Sequence, residues 1–217
     1  MPKPIPFNAE FKTTEEYLQY RIEIEKVISS IAVLLNGSHS EEKDKIISQA
    51  LEKVGKVARA DRSYLFILKD NGLTMDNTHE WCASGITPER DNLQDLKVAD
   101  FKFFINGLKQ NQIVHILNVD DLPDEEGDFK QFLSIQGIHS ILNIPINLNS
   151  NLYGFIGLDS VHKQSRWNHD DISLLRTLGE IFSGFLNEKP TKKISAINKI
   201  TILEFSRPLC LVYTFLI

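Results

Sequence analysis

The chain has 217 residues, the length of one large domain or of one domain with an appendage. Hydrophobic residues make up 42% and charged residues 24%, a composition that excludes a disordered, fibrous or disulfide-rich protein. The 24 basic and 29 acidic residues give a net charge of −5, so a nucleic-acid partner held by bulk positive charge is not expected.

The sequence also argues against a membrane span and against a cysteine-based metal site. No apolar stretch reaches the ~18 residues of a transmembrane helix, and the first twelve residues lack the apolar segment of a signal peptide. The two cysteines, Cys82 and Cys210, are too few for a disulfide framework or a four-cysteine zinc site. We therefore expect a soluble cytoplasmic domain.

The N-terminal region is predicted to be an extended arm, residues 1–13, followed by a signalling or dimerisation helix, residues 14–36. Thr13 and Glu16 form a capping box at the start of the helix. Its apolar residues repeat every seven positions in two series: Tyr17, Ile24, Ile31 and Tyr20, Val27, Leu34. Two interpretations are open, because such a stripe packs either on the domain's own sheet or along the seam of a parallel dimer.

The main domain, residues 38–188, is predicted to have the order helix, hairpin, irregular middle, hairpin, helix. The strand patterns lie at 63–69, 74–83, 138–146 and 152–160, with turn residues between the members of each pair. Strands joined by hairpins form an antiparallel sheet, so we expect an α+β domain with its terminal helices on one face. The middle segment, 87–137, is left to cover the other face, where a small-molecule cavity would form.

The C-terminal segment, residues 189–217, is predicted to be a tail outside this domain. It carries five basic residues and one acidic residue, a charge of +4, and Pro190 stands at the boundary. Residues 209–217 are almost all apolar, but nine residues are too few to cross ~30 Å of hydrocarbon as a helix. The tail is interpreted as the remnant of a longer sensor, or else as an extra edge strand or a partner contact.

Several separated segments resemble a known family. They are the runs 75–82 (MDNTHEWC) and 152–160 (LYGFIGLDS), followed by Trp167 and the helix that begins with Asp170 and Asp171. These segments are similar to GAF domains, and in particular to the GAF sensor modules of bacterial and archaeal histidine kinases. Over residues 17–188 the resemblance implies a GAF-like, PAS-related fold of six antiparallel strands. Terminal helices would cover one face, and short helices and loops would cover a ligand pocket on the other.

The resemblance also implies a function. Such modules are non-enzymatic sensors in two-component signal transduction that dimerise through their terminal helices and act on a histidine kinase or another signalling protein. No glycine-rich ATP-binding segment follows the last helix, so the chain is not expected to phosphorylate anything itself. One branch of the family reduces methionine sulfoxide with two or three cysteines, but Cys82 is the only cysteine in this domain, so no catalytic residue is assigned.

Two other hypotheses remain beside the small-molecule sensor. One is a haem-binding redox or gas sensor anchored at Cys82, because some similar archaeal modules hold haem through a cysteine. The other is an interaction or dimerisation scaffold whose pocket is occluded. The sequence does not name the ligand or any other cofactor.

Seven residues are candidate ligand contacts: Trp81, Cys82, Phe101, Phe103, Phe104, His115 and His139. The three phenylalanines belong to the segment that must cover the sheet, and Trp81 is expected opposite them. His115 shares the apolar face of its strand with Ile113 and Leu117. A histidine in that position is more often a core residue than a ligand contact, and the same alternative applies to the phenylalanines.

Metal binding is not predicted at the most suggestive pair. Alternation along a strand places His79 and Trp81 on one face and Glu80 and Cys82 on the other. His79 and Cys82 therefore do not converge on one metal ion, despite their close spacing.

Overall fold

The computed structural model describes residue 11 and residues 13–36, 42–123 and 126–187. The predicted tail, 189–217, and nearly all of the predicted arm lie outside these residues. The domain boundaries proposed from the sequence therefore stay predictions.

The described chain contains five α-helices and six strands. In chain order they are α1 (Thr14–Asn36), α2 (Lys43–Val57), β1 (Arg62–Lys69), β2 (Thr74–Cys82), β3 (Leu96–Lys97), α3 (Lys102–Lys109), β4 (Val114–Ile116), α4 (Gly127–Ile135), β5 (Ser140–Leu148), β6 (Asn151–Ser160) and α5 (His169–Asn187).

The strands form one antiparallel sheet in the order β3-β2-β1-β6-β5-β4. The α+β class and the six-stranded sheet are thus confirmed. Two hairpins, β1–β2 and β5–β6, lie side by side at its centre, and β1 pairs with β6 so that Arg62 stands opposite Asp159. The short edge strand β3 was not predicted, because two residues show no periodicity.

Helices α1, α2 and α5 lie on one face of the sheet. α2 packs on β1 and β2, α5 packs on β5 and β6, and α1 lies on α2 and α5. In the heptad series Tyr20, Ile24 and Ile31 are buried in this core. The apolar stripe of α1 therefore packs within its own chain, against the two helices and not against the sheet.

Polar contacts fix α1 on α5. The Tyr20 hydroxyl donates a hydrogen bond to Asp171, and Arg21 forms an ion pair with Asp170 at 3.1 Å. Asn168 caps α5, because its Oδ1 accepts from the backbone N–H groups of Asp170 and Asp171 at 2.7 and 3.2 Å. None of the helices described here has the length and hydropathy required to cross a membrane.

A second core lies on the opposite face of the sheet. α3, α4 and the 3₁₀ turns around them cover β1, β6 and β5, and their apolar side chains form a separate buried cluster. We call this layer, α3 and α4 with the 3₁₀ turns that flank them, the roof. It corresponds to the middle segment that was expected to cover the sheet.

Candidate ligand-binding site

A cavity of about 50 Å³ lies between the sheet and the roof. Its wall is mainly apolar, and seven of the lining residues are aromatic: Tyr64, Phe66, Phe101, Phe104, Phe129, Phe132 and Phe155. Phe66 and Phe155, on adjacent strands, stack with ring centroids 4.8 Å apart, and Phe104 meets Phe155 edge-on at 5.0 Å. Such mutually packed rings form a stiff, flat surface.

One end of the cavity is polar. Asn77 and Glu80 reach it from β2, Asn143 from β5 and Asp159 from β6. Within the described part of the chain, the Oδ1 atoms of Asn77, Asn143 and Asp159 are buried and have no hydrogen-bond partner. An unpaired buried acceptor costs free energy, so three at one end of a cavity indicate a place where another molecule binds.

A β-bulge places two of these side chains on the same face. Leu65 pairs with His79 and Phe66 pairs with Asn77, so Thr78 is the extra residue of β2. Beyond the bulge the alternation is shifted by one position, and both Asn77 and Glu80 point into the cavity.

Glu80 is held in place by the chain that follows β2. Its Oε2 accepts hydrogen bonds from the backbone N–H groups of Glu89 and Arg90 at 2.8 and 3.0 Å. Its Oε1 accepts from Nδ2 of Asn77 at 3.3 Å. The carboxylate therefore fixes the orientation of the Asn77 amide.

Asp159 is buried beside a single cation. Its Oδ2 accepts from Arg62 at 3.3 Å, and the Nε of Arg62 donates to the Thr87 carbonyl oxygen at 3.3 Å. Burial raises the pKa of Asp159, and the nearby Arg62 offsets only part of that effect. Burial likewise raises the pKa of Tyr64 well above its ordinary value, so this phenol stays protonated.

Gly157 of β6 leaves room for two neighbouring side chains at the polar end of the cavity. A Cβ added to Gly157 would overlap both the Tyr64 ring and Oδ1 of Asn143. Tyr64 and Asn143 therefore occupy the space above the strand that a side chain would fill.

Two of the sequence-predicted contacts lie in this cavity. Phe101 and Phe104 are buried and line it, whereas Phe103, on the same helical stretch, is 51% exposed and does not. His139 is exposed just before β5, where its backbone N–H donates to the Ser160 carbonyl oxygen at 2.8 Å.

Two more lie across the sheet. Trp81 packs over Gly55 of α2, on the helix side, and is not opposite the phenylalanines. His115 also faces the helix side, 6.2 Å from the Trp167 ring, and burial lowers its pKa. The predicted alternation is confirmed here, because His79 contacts Asp44 of α2 at 3.3 Å while Glu80 lines the cavity.

Cys82 is half-buried at the end of β2 and does not line the cavity. Burial raises the pKa of its thiol to about 12, and the neighbouring Glu80 carboxylate acts in the same direction. An axial haem thiolate needs the opposite, a lowered pKa and room for the macrocycle. The surroundings of Cys82, which lies outside the cavity wall, do not fit haem.

The sequence reasoning missed the four polar residues of the cavity, Asn77, Glu80, Asn143 and Asp159. A signal existed for Asn143, which interrupts the otherwise apolar run from Ile141 to Ile146 with a polar side chain before Pro145. The position of Asn77 depends on the bulge, which the residue pattern does not predict.

The family model of the GAF domain matches residues 42–184, which is more than half of the chain. The chain belongs to the GAF domain family. Among curated proteins, the methanogenesis regulatory histidine kinase FilI of Methanothrix harundinacea (strain 6Ac) is 32% identical to this GAF chain over 152 residues. The match covers 67% of this chain but 17% of the kinase, so the chain spans a small part of that relative. GAF domains of this kind are sensory domains of signalling proteins.

Solved GAF structures have the same fold. The PixJ GAF domain of Thermosynechococcus elongatus, in its blue-light absorbing form, is 16% identical with a TM-score of 0.58, and the match covers 76% of this chain and 89% of that one. The chromophore-binding domain of Stigmatella aurantiaca phytochrome P1 is 14% identical with a TM-score of 0.62, over 83% and 64%. At these identities the likeness shows the fold alone.

Proposed function

We propose that this GAF chain is a non-enzymatic sensory module that binds a small molecule in the cavity under the roof. The observation that supports the proposal is the combination of a flat aromatic wall with three unpartnered buried oxygens at one end. Ligand sites are typically apolar cavities with a few convergent polar groups. On the helix side a cleft of about 360 Å³ is lined by residues that include Tyr20, Trp167 and Asp171, but among the described residues none of its lining side chains has a buried polar atom without a hydrogen-bond partner.

Binding requires the roof to move. A cavity of about 50 Å³ holds a few water molecules, whereas typical ligand pockets measure roughly 300–1,000 Å³. The ligand must therefore bind a conformation in which α3 and α4 lie farther from the sheet. The ligand shifts the populations of the closed and the open state only if it binds the open state more tightly than the closed one.

We propose that α1 relays this shift as part of a homodimer. The heptad residues pack within the chain, but Leu18, Ile22 and Val33 are apolar residues of α1 that are 55%, 44% and 71% exposed. A second copy of the same helix is the partner we propose for these three side chains. α5 connects it to the cavity, because α5 packs on β5 and β6 and holds α1 through Tyr20 and Arg21.

The effector is proposed from the relative. The kinase FilI carries a segment similar to this chain, and a histidine kinase or another signalling protein is the output that suits a GAF module. The small size of the cavity favours one second candidate, a dimerisation scaffold whose pocket stays occluded.

The ligand proposal is tested on the full chain with two matched variants in α4. Leu133 is buried in the cavity wall, and Ile135 is 77% exposed two residues later. A library of small aromatic compounds is screened by thermal shift against the parent, Leu133→Phe and Ile135→Phe. Compounds that stabilise the parent and Ile135→Phe but not Leu133→Phe support the sensor. If no compound stabilises the parent while the protein remains dimeric, the result supports a dimerisation scaffold with an occluded pocket and contradicts the sensor.

The relay proposal is tested by sedimentation velocity. Ile22→Glu should convert a dimer into a monomer, because it places charge in the proposed seam. The control Ile135→Glu, at another exposed apolar position, should leave the dimer intact. A parent protein that is monomeric at tens of micromolar would contradict the dimeric relay.

A further inference from the structure

We propose that the cavity selects a small aromatic ligand that carries N–H donors, preferably cationic ones, and rejects ligands whose polar end is an anion. This inference rests on the proposed function, since it names the ligand class of the same cavity. It comes from the balance of donors and acceptors at the polar end.

The acceptors at that end outnumber the donors. The Oδ1 atoms of Asn77, Asn143 and Asp159 are buried without a partner in the described structure, and the residues are 1%, 1% and 2% exposed. Two donors of the wall are engaged within the protein, because Tyr64 donates to the Leu158 carbonyl oxygen at 3.5 Å and Gln136 to that of Phe132 at 3.1 Å. A ligand that brings its own hydrogens would satisfy the unpartnered Oδ1 atoms of Asn77 and Asp159.

The amide of Asn77 cannot be turned to supply a donor. Its Nδ2 donates to Oε1 of Glu80, and a rotated amide would place an oxygen against that carboxylate. Asp159 has no N–H group, so its free Oδ1 accepts whenever the carboxylate is ionised. These two residues alone set the preference for a donor.

The charges at the polar end also favour a cationic ligand over an anionic one. Glu80 and Asp159 are two carboxylates of the cavity wall, and no Lys or Arg is among its described lining residues; Arg62 pairs with Asp159. The Nη1 of Arg62 pairs with Asp159 at 3.3 Å and its Nε donates to Thr87, so this cation is already engaged. Where Asp159 is ionised, a buried ligand anion would face two like charges, whereas a cation would be attracted to both.

The wall sets the shape of the ligand. The stacked Phe66 and Phe155 rings and the edge of Phe104 present flat apolar surfaces. A planar ring packs against them, and a cationic group beside it gains further from the aromatic faces. An aromatic amidine is the simplest molecule with both features.

The test uses benzamidine and benzoate, two planar molecules of the same size and shape with opposite hydrogen-bonding character and charge. Toluene serves as the apolar probe without a polar end. Binding to the full chain is measured by NMR titration and by thermal shift. We expect benzamidine to bind at least about tenfold more tightly than benzoate, the difference that one charged hydrogen bond provides.

A variant separates recognition from folding. Asn77→Leu removes the unpartnered oxygen and also the donor to Glu80 with little change in volume. The two effects on stability oppose each other, so the unliganded protein should stay close to the parent in stability while benzamidine binding falls about tenfold. Asn151→Leu, at an exposed position at the start of β6, should leave binding unchanged.

The outcomes distinguish the two proposals. If benzoate or toluene binds at the cavity as tightly as benzamidine, the sensory cavity stands and the preference for donors is wrong. If Asn77→Leu binds benzamidine like the parent, the preference is also wrong. If none of the three probes binds and ordered water occupies the polar end in a crystal structure, the preference for donors is wrong, while the library screen still decides the sensory cavity.

Discussion

The indole ring of Trp81, which belongs to β2, lies directly on the backbone of Gly55, so that no side chain of α2 separates the ring from the helix at this point. A Cβ added to Gly55 would overlap ring atoms Cε3 and Cζ3. This contact turns Trp81 away from the cavity and ties the strand that carries Asn77 and Glu80 to the helix layer.

The first prediction follows from that contact. Gly55→Ala should lower the free energy of unfolding by about 1–3 kcal/mol, because the rigid ring cannot move aside and overpacking of this kind strains the backbone. Gly184→Ala is the matched control in α5, where no atom lies within 4 Å of the added methyl group. It should stabilise the protein by about 0.5–1 kcal/mol through helix propensity alone. Equal effects of the two changes in urea denaturation would contradict the close contact.

Two neighbouring phenylalanines provide the second prediction. Phe104 is 4% exposed and contacts both Phe129 and Phe155, whereas Phe103 is 51% exposed. Phe104→Ala should destabilise the protein by about 3–5 kcal/mol, since it leaves a hole in the roof-side core. Phe103→Ala should cost less than about 1 kcal/mol. Chemical denaturation checks both, and a large loss at Phe103 would require α3 to be rotated.

The third prediction concerns the pH dependence of stability at Asp159. Burial raises its pKa from 3.8 to about 7 in the folded protein. The folded state keeps a proton that the unfolded chain releases, so the stabilisation from this group is complete below 3.8 and is lost as the pH rises through about 7. Asp159→Asn cannot ionise, so its stability relative to the parent should increase from pH 4 to pH 7 in thermal denaturation.

Asp76, whose pKa is lowered, is the control for the Asp159 measurements. Burial alone would raise the pKa of Asp76, but Lys69 at 2.7 Å and the Asp95 backbone N–H at 2.7 Å lower it. Its contribution is therefore present above the pKa of the unfolded chain and is lost as the pH falls. Asp76→Asn should lose stability relative to the parent as the pH rises through about 4, the reverse of Asp159→Asn. Two difference curves with the same slope would contradict the assignment.

The regular elements could be predicted because their signals are local. The cap at Asn168, the turn at Asn71 with its positive φ of 58°, and the apolar runs of β5 and β6 each lie within a few consecutive residues. The polar end of the cavity could not be predicted from local signals, because it combines residues from three strands and depends on the bulge at Thr78. The same limit misplaced Trp81, since only the contact with Gly55 decides which face of the sheet it occupies.

The last prediction tests the chemistry of Cys82. Burial, reinforced by Glu80, raises its pKa from 9.0 to about 12, so its thiolate population at neutral pH is about a thousandfold smaller than in the unfolded chain. In a Cys210→Ser background, where Cys82 is the remaining cysteine, iodoacetamide should therefore react far more slowly with the folded protein than with the protein in urea. Glu80→Gln should accelerate the folded reaction, since it removes the nearer negative charge. Rapid labelling of the folded Cys210→Ser protein would contradict the raised pKa of Cys82. A Soret band with haemin that Cys82→Ser abolishes would show that Cys82 binds haem.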